Sequence, residues 1–172
     1  MGATVDPGGA SKEAFCRMVE DYQVALLRTC YVMLRDYALA EDAVQETFLK
    51  AYRASAAFRG DCSEKTWLMR IAMNTCRDMR RSAWFRRVDR RVTPEQLPEA
   101  CVPFEAKDNT LIETVMNLPC REKEILLLYF YQDMTLGEIA QALGFAPSTV
   151  SAKLKRTKEK LRAVLEGGEN DE

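Results

Sequence analysis

Residues Thr135 to Leu165, TLGEIAQALGFAPSTVSAKLKRTKEKLRAVL, decide how the C-terminal part of this chain folds. The Thr135 hydroxyl is placed to accept from the N–H of Glu138, and the Glu138 carboxylate to reach back to the N–H of Thr135. That reciprocal pair is a capping box, which starts a helix. Met134 and Ile139 are spaced for a hydrophobic staple across the same cap. Leu136, Ile139, Ala140 and Leu143 then recur at i, i+3, i+4 and i+7, one apolar stripe. Gly144 ends this helix as a residue free to take positive φ. After Phe145 and Ala146, Pro147 suits the first position of a second helix, where no N–H bond is lost. Val150, Leu154, Leu161 and Leu165 give that helix an inner face. Six Lys/Arg stand against the single acid Glu159 between Ser148 and Leu165. The spacing predicts a helix-turn-helix whose second helix offers short polar side chains to base edges and Lys/Arg to phosphates. A helical hairpin with a merely solvated basic face shares the amphipathic pattern; the capping box, short turn and concentrated charge favour DNA.

Working outward, the whole chain of 172 residues has a net charge of −1 and 47% apolar content, enough for one or two cored domains. Charge distribution says more than the total. Residues 1–50 hold five bases and eight acids, whereas residues 59–91 hold ten bases and four acids. Two separated basic segments on a neutral chain predict two places that touch a polyanion. There is no histidine, and the six cysteines form no C-x-x-C pair. Zinc-finger spacing and His-based triads are therefore excluded, and no metal, cofactor or catalytic residue is expected. The cysteines read as small buried hydrophobes rather than redox sensors. No signal pattern opens the chain, and the longest apolar run, Ile125 to Tyr131, is too short to span a bilayer. The expectation is a cytoplasmic protein, not an enzyme, with no membrane insertion.

Residues 1–10, rich in Gly, read as a disordered leader. From Ser11 the period is helical, with Phe15, Val19, Tyr22, Leu26, Leu27 and Cys30 on one face of a first helix running toward Asp36. A break near Asp36-Tyr37 leads to a second helix, about residues 40–54, with Ala43, Val44, Phe48, Ala51 and Tyr52 inward. Its opposite face carries Asp42, Gln45, Glu46 and Leu49 at i, i+3, i+4 and i+7. A leucine there fits either a solvated face with one stray apolar residue or a protein-docking surface. Phe58 to Asp61 is a loop, and Ser63 caps a third helix from about Glu64 to Arg81. Trp67, Leu68, Ile71, Ala72 and Thr75 face inward, while Arg70, Asn74, Arg77 and Arg81 form a polar, mostly cationic stripe. With Phe58 and Trp67 close by, that stripe has what single-stranded nucleic acid binding requires, although Trp67 itself reads as core.

These residues carry a resemblance to a known family. Ala40 to Tyr52, AEDAVQETFLKAY, resembles the core-polymerase-binding motif of bacterial sigma factors. Thr66 to Asn74, TWLMRIAMN, is similar to their promoter-melting helix, and Leu118-Pro119 through Leu161 is similar to their C-terminal helix-turn-helix domain. The three occur in family order over about residues 11–165, and only the second and fourth family regions are present, as in the compact extracytoplasmic-function (ECF) group. The resemblance implies that Asp42, Gln45 and Glu46, extended by Leu49, dock on core RNA polymerase. It implies that Arg70, Asn74, Arg77 and Arg81 contact the −10 element, and that the loop from Arg59 through Lys65 to Thr66 holds a flipped base. Ser148, Thr149, Ser151, Ala152, Lys153, Lys155 and Arg156 would face the −35 element of promoter DNA. An anti-sigma factor is a further implied partner, and the free protein is expected to be a monomer. Two positions depart from the family pattern. Ala146 replaces a common capping Ser, and Asp133 stands where Gly is common, which Asp tolerates by entering the left-handed region.

The expected architecture is all-α: two small helical domains, 11–81 and 107–166, joined by a linker over 82–106. That linker contains three Pro and no sustained period. Fully extended it spans roughly 80 Å, enough to set the domains several helical turns apart on one duplex. In the second domain, Leu111, Val115 and Met116 begin a helix that stops near Pro119. Arg121 to Tyr131 is next, as an apolar central helix, and residues 167–172 form an acidic tail. A stand-alone helix-turn-helix regulator is the rival reading, but it leaves Asp42, Gln45, Glu46 and the Arg70–Arg81 stripe unexplained.

Overall fold

The computed structural model describes residues 12–82 and 109–168; the leader, most of the linker and the last four residues lie outside the described residues. Seven α-helices and no strand occur among the described residues. Helices α1 (Lys12–Leu34), α2 (Tyr37–Ala54) and α3 (Glu64–Arg81) make the N-terminal half. The C-terminal half contains α4 (Asn109–Asn117), α5 (Cys120–Leu126), α6 (Leu136–Leu143) and α7 (Pro147–Gly168).

Local chemistry explains most boundaries. Arg35, at φ 58°, breaks α1 from α2. The Asp36 carboxylate then accepts from the N–H of Leu39 at 2.9 Å. That cap starts α2 at Tyr37, three residues before the periodicity suggests. Ser63 caps α3 by accepting from the N–H of Thr66 at 3.1 Å, and α3 spans the expected range. The Thr135–Glu138 capping box is formed in both directions, and Gly144 takes the left-handed conformation at φ 71°. Asp133 sits at φ 51°, the left-handed position inferred for it.

The core of the N-terminal half includes Leu26, Leu34, Leu68, Met69 and Met73, all fully buried. Burying a side chain of this size stabilises by about 1.5–3 kcal/mol. In the C-terminal half Ile125, Leu127, Leu128, Ile139 and Val150 are equally inaccessible. Two expected inward residues are not inward. Tyr52 is 51% exposed, with its ring edge-on to Phe15 at 5.0 Å, and Leu165 is 43% exposed near the end of α7. The apolar central helix also changes pitch. Leu127–Tyr131 forms a π-type turn, with Gln132 N–H donating to the carbonyl of Leu127 at 3.1 Å.

The two halves pack against each other, α3 on α6 and α1 on α5, and their buried residues join in one cluster. Met69, Met73 and Cys76, which the single-face reading of α3 omits, are buried in consequence. The C-terminal turn of α1 is enclosed in the same way, with Tyr31, Val32, Met33 and Leu34 all inaccessible.

Candidate nucleic-acid interface

Helix α7 sits on Val150, Leu154 and Thr157, spaced 4 and 3 apart, with Leu161 half-buried beyond them. This seating turns Ser148, Ser151, Ala152, Lys155 and Arg156 into solvent and leaves Thr149 and Lys153 half-buried at the rim. Cations at the two ends of α7 differ. Lys160 pairs with Glu122 at 2.8 Å, Arg162 with Glu166 at 2.6 Å, and Lys158 lies 4.5 Å above the Tyr129 ring. Lys153, Lys155 and Arg156 make no ion pair with a described residue. The free positive charge therefore sits at the end of α7 nearest the turn, the end a recognition helix presents to bases.

On α2, Asp42 and Gln45 are exposed, and Glu46 is half-exposed with Lys50 3.6 Å away. Leu49 is 42% exposed beside them, so all four expected docking residues share one accessible face. A groove of about 390 Å³ beside α7 contains Ser151, Lys155 and Lys158; one of about 300 Å³ beside α2 contains Val24, Glu41 and Gln45.

The α3 set is brought together but not left free. Arg59, Asn74 and Arg81 are exposed. Arg70 donates to the carbonyl of Gln141 at 2.8 Å, and Gln141 returns a bond to the carbonyl of Asp61 at 3.0 Å. The Lys65 ammonium donates to the carbonyl of Gln132. Arg77 Nε lies 3.1 Å from Glu124, a carboxylate with no solvent exposure that also takes Arg121 at 3.1 Å. Thr66 is fully buried, its hydroxyl 2.9 Å from Ser63, so it is off the accessible face. The Phe58 and Trp67 rings stack at 4.7 Å, with Trp67 half-buried against the core as expected.

Sequence reasoning missed the partners that hold this face. Glu124 stands at i−3 and i−4 from Leu127 and Leu128, an acid on the apolar side of its helix, which is the one signal it gives. Gln132, only 2% exposed, donates to Thr29 Oγ1 at 2.9 Å and to the carbonyl of Ala25 at 3.3 Å. Lys123 is 4% exposed and donates to the carbonyl of Met116. Burial first, then the charges of Arg80 and Arg35, lower its pKa to about 8. Burial and the nearby Glu124 raise the Cys120 thiol. Among the described cysteines, Cys30 and Cys76 are buried, Cys62 and Cys120 half-buried and Cys16 exposed, all as free thiols. No described helix is long and apolar enough to cross a membrane.

Known proteins match this arrangement along nearly its whole length. Residues 18–86 match Sigma-70 region 2, and residues 116–163 match Sigma-70 region 4. The ECF RNA polymerase sigma factor SigL of Mycobacterium tuberculosis is 32% identical, over 95% of this chain and 96% of its own length. The RNA polymerase sigma-H factor of Pseudomonas aeruginosa is 30% identical, over 90% and 88%. Among solved structures, CnrH in complex with the cytosolic domain of CnrY superposes with a TM-score of 0.69 at 25% identity, covering 92% of this chain and 91% of that one. The sigma factor RpoE of Bartonella quintana, bound to the anti-sigma factor NepR, shares the fold at a TM-score of 0.71 and 20% identity, over 93% and 99%. The chain thus belongs to the ECF RNA polymerase sigma factors and directs the polymerase to promoters.

Proposed function

We propose that this factor divides its work among three helices. Asp42, Gln45, Glu46 and Leu49 on α2 dock on core RNA polymerase. The exposed row at the start of α7 reads the −35 element, with Ser148, Ser151 and Ala152 near base edges and Lys153, Lys155 and Arg156 on bases or phosphates. Arg59, Arg70, Asn74, Arg77 and Arg81 hold the unpaired −10 strand beside the Phe58–Trp67 stack. The protein performs no chemistry of its own; binding energy offsets base unpairing. It acts in the cytoplasm, is a monomer when free, and is held in reserve by an anti-sigma factor, as two solved relatives of this fold are each bound to a second protein.

The observation that carries this reading is that the cations of α7 with no ion pair to a described residue, Lys153, Lys155 and Arg156, sit beside the outward Ser and Ala positions. Because Arg70, Arg77 and Lys65 are bonded to the C-terminal half, the free factor is a closed form, and docking on the polymerase must part the halves before the −10 strand can bind. The test is in vitro transcription from a random promoter library with core polymerase, in parallel with a core pull-down. Transcripts sharing two spaced sequence elements are expected. Gln45→Lys with Glu46→Lys should weaken the pull-down while circular dichroism stays that of the wild type. Duplex binding with no core affinity would instead identify a stand-alone regulator.

A further inference from the structure

The junction between the halves is crowded with positive charge. A cavity of about 320 Å³ is lined by Arg77, Arg80, Arg81, Cys120 and Arg121. The carboxylate that pairs with members of this group is Glu124, and both its oxygens are taken: Oε1 by Arg77 and the Cys120 thiol, Oε2 by Arg121. Arg80 Nη1 is shut away from solvent with no hydrogen-bond partner. Lys123, whose pKa is lowered first by burial and then by the charge of Arg80, adds another cation nearby. One buried carboxylate cannot neutralise so many guanidinium groups, and a desolvated guanidinium N–H without an acceptor is costly. What the cavity lacks is negative charge with several acceptor atoms. Phosphate chemistry supplies both, and guanidinium groups bind it through paired N–H donors.

We propose that this cavity binds a small, multiply charged phosphate oxyanion through Arg80, Arg81 and Arg121, and that occupancy clamps the two halves together. Arg80 and Arg81 come from α3 and Arg121 from α5, so one ligand bridges both halves. A ligand that binds only the closed chain stabilises it by mass action. The regulatory consequence alone rests on the sigma-factor reading: a clamped factor keeps Arg77 and Arg81 from the −10 strand.

The experiment uses the full chain alone, without polymerase or DNA, so its outcome is independent of the transcription test. Inorganic triphosphate, and separately a nucleoside triphosphate, are titrated against it by calorimetry and thermal unfolding, with sodium chloride matching the ionic strength. Saturable binding with a rise in Tm is expected, weakened about tenfold or more in Arg80→Gln and Arg121→Gln. Equal affinity for both probes identifies the phosphates alone as the ligand; tighter nucleotide binding identifies a nucleotide. If Arg121→Gln fails to fold, Arg80→Gln decides, because Arg80 Nη1 has no bond to lose. The proposal is overturned if chloride reproduces the rise in Tm, if binding does not saturate, or if Arg80→Gln binds like the wild type.

Discussion

Along α7, Lys155 and Arg156 stand in solvent with no ion pair to a described residue, whereas along α3 Arg70 and Arg77 are bonded to the C-terminal half. Both helices show the same signal in sequence, a row of cations opposite an apolar face. The difference lies in what packs on them. Helix α7 closes the edge of the C-terminal half and has one buried side. Helix α3 is sandwiched between α1 and α2 on one side and α6 on the other. A cationic stripe on a surface helix is available as it stands; on a sandwiched helix it is available only after a partner leaves. The two helices proposed to face DNA therefore differ in readiness rather than in chemistry.

The hardest test of that contrast removes Glu124. Glu124→Gln keeps the side-chain volume but leaves Arg77 and Arg121 without a counter-charge, which should destabilise the closed packing by about 3–5 kcal/mol. Urea unfolding gives the loss, and fluorescence anisotropy with a −10 single strand should report tighter binding by the free variant. No gain in strand binding by a folded variant would mean that α3 is not masked by this ion pair. On α7, Arg156→Ala should cost about 1–3 kcal/mol of −35 duplex affinity with specificity relaxed at one position, provided it reads a base. If the residue holds phosphate instead, affinity should fall evenly across sequences with a shallower salt dependence.

Two further effects sharpen the comparison. Helix α6 supports α7 and also carries the Gln141 carbonyl that holds Arg70, so loosening it should touch both helices. Thr135→Ala removes the capping box and should lower stability by about 1 kcal/mol, measured by thermal unfolding. The other effect is pH-dependent. Lys123 has a pKa of about 8 in the fold against 10.5 as a free side chain. Between those values the unfolded chain holds the proton and the fold has released it, so this group raises stability as pH increases through that window. The raised thiols of Cys76 and Cys120 act in the opposite direction. The quantity to measure is thus wild type minus Lys123→Met across pH 7.5–10.5; a flat difference would mean that Lys123 is not held desolvated at the junction.

Features set by neighbours in sequence were legible. The Thr135–Glu138 box, the Ser63 cap, the Gly144 terminus and the left-handed Asp133 each arise from a few consecutive residues. So did the outward placement of Asp42, Gln45, Leu49, Ser151 and Arg156, because helical period separates an inner face from an outer one. The junction was not legible. Nothing local marks Lys123 or Gln132 as buried, and the burial of Met69, Met73 and Cys76 requires a second packing partner that period alone does not reveal. Tyr52 and Leu165 fail for the converse reason, since the stripe continues past the point where neighbours remain to cover it.

The π-type turn at Leu127–Tyr131 adds one residue to a helical turn, and so rotates the residues beyond it by about 100° relative to a regular helix. With that extra step, Tyr131 accepts from Arg28 at 2.7 Å, while Phe130 lies under Lys158 on the far side, 4.9 Å from its ammonium. A deletion of one codon here would restore the ordinary pitch and leave the reading frame intact, yet only one of these two partners could still be met. Single-residue length changes in this turn should therefore act as a crossover between docking to the N-terminal half and bracing α7. Substitutions at the same positions would trim a contact without exchanging one allegiance for the other.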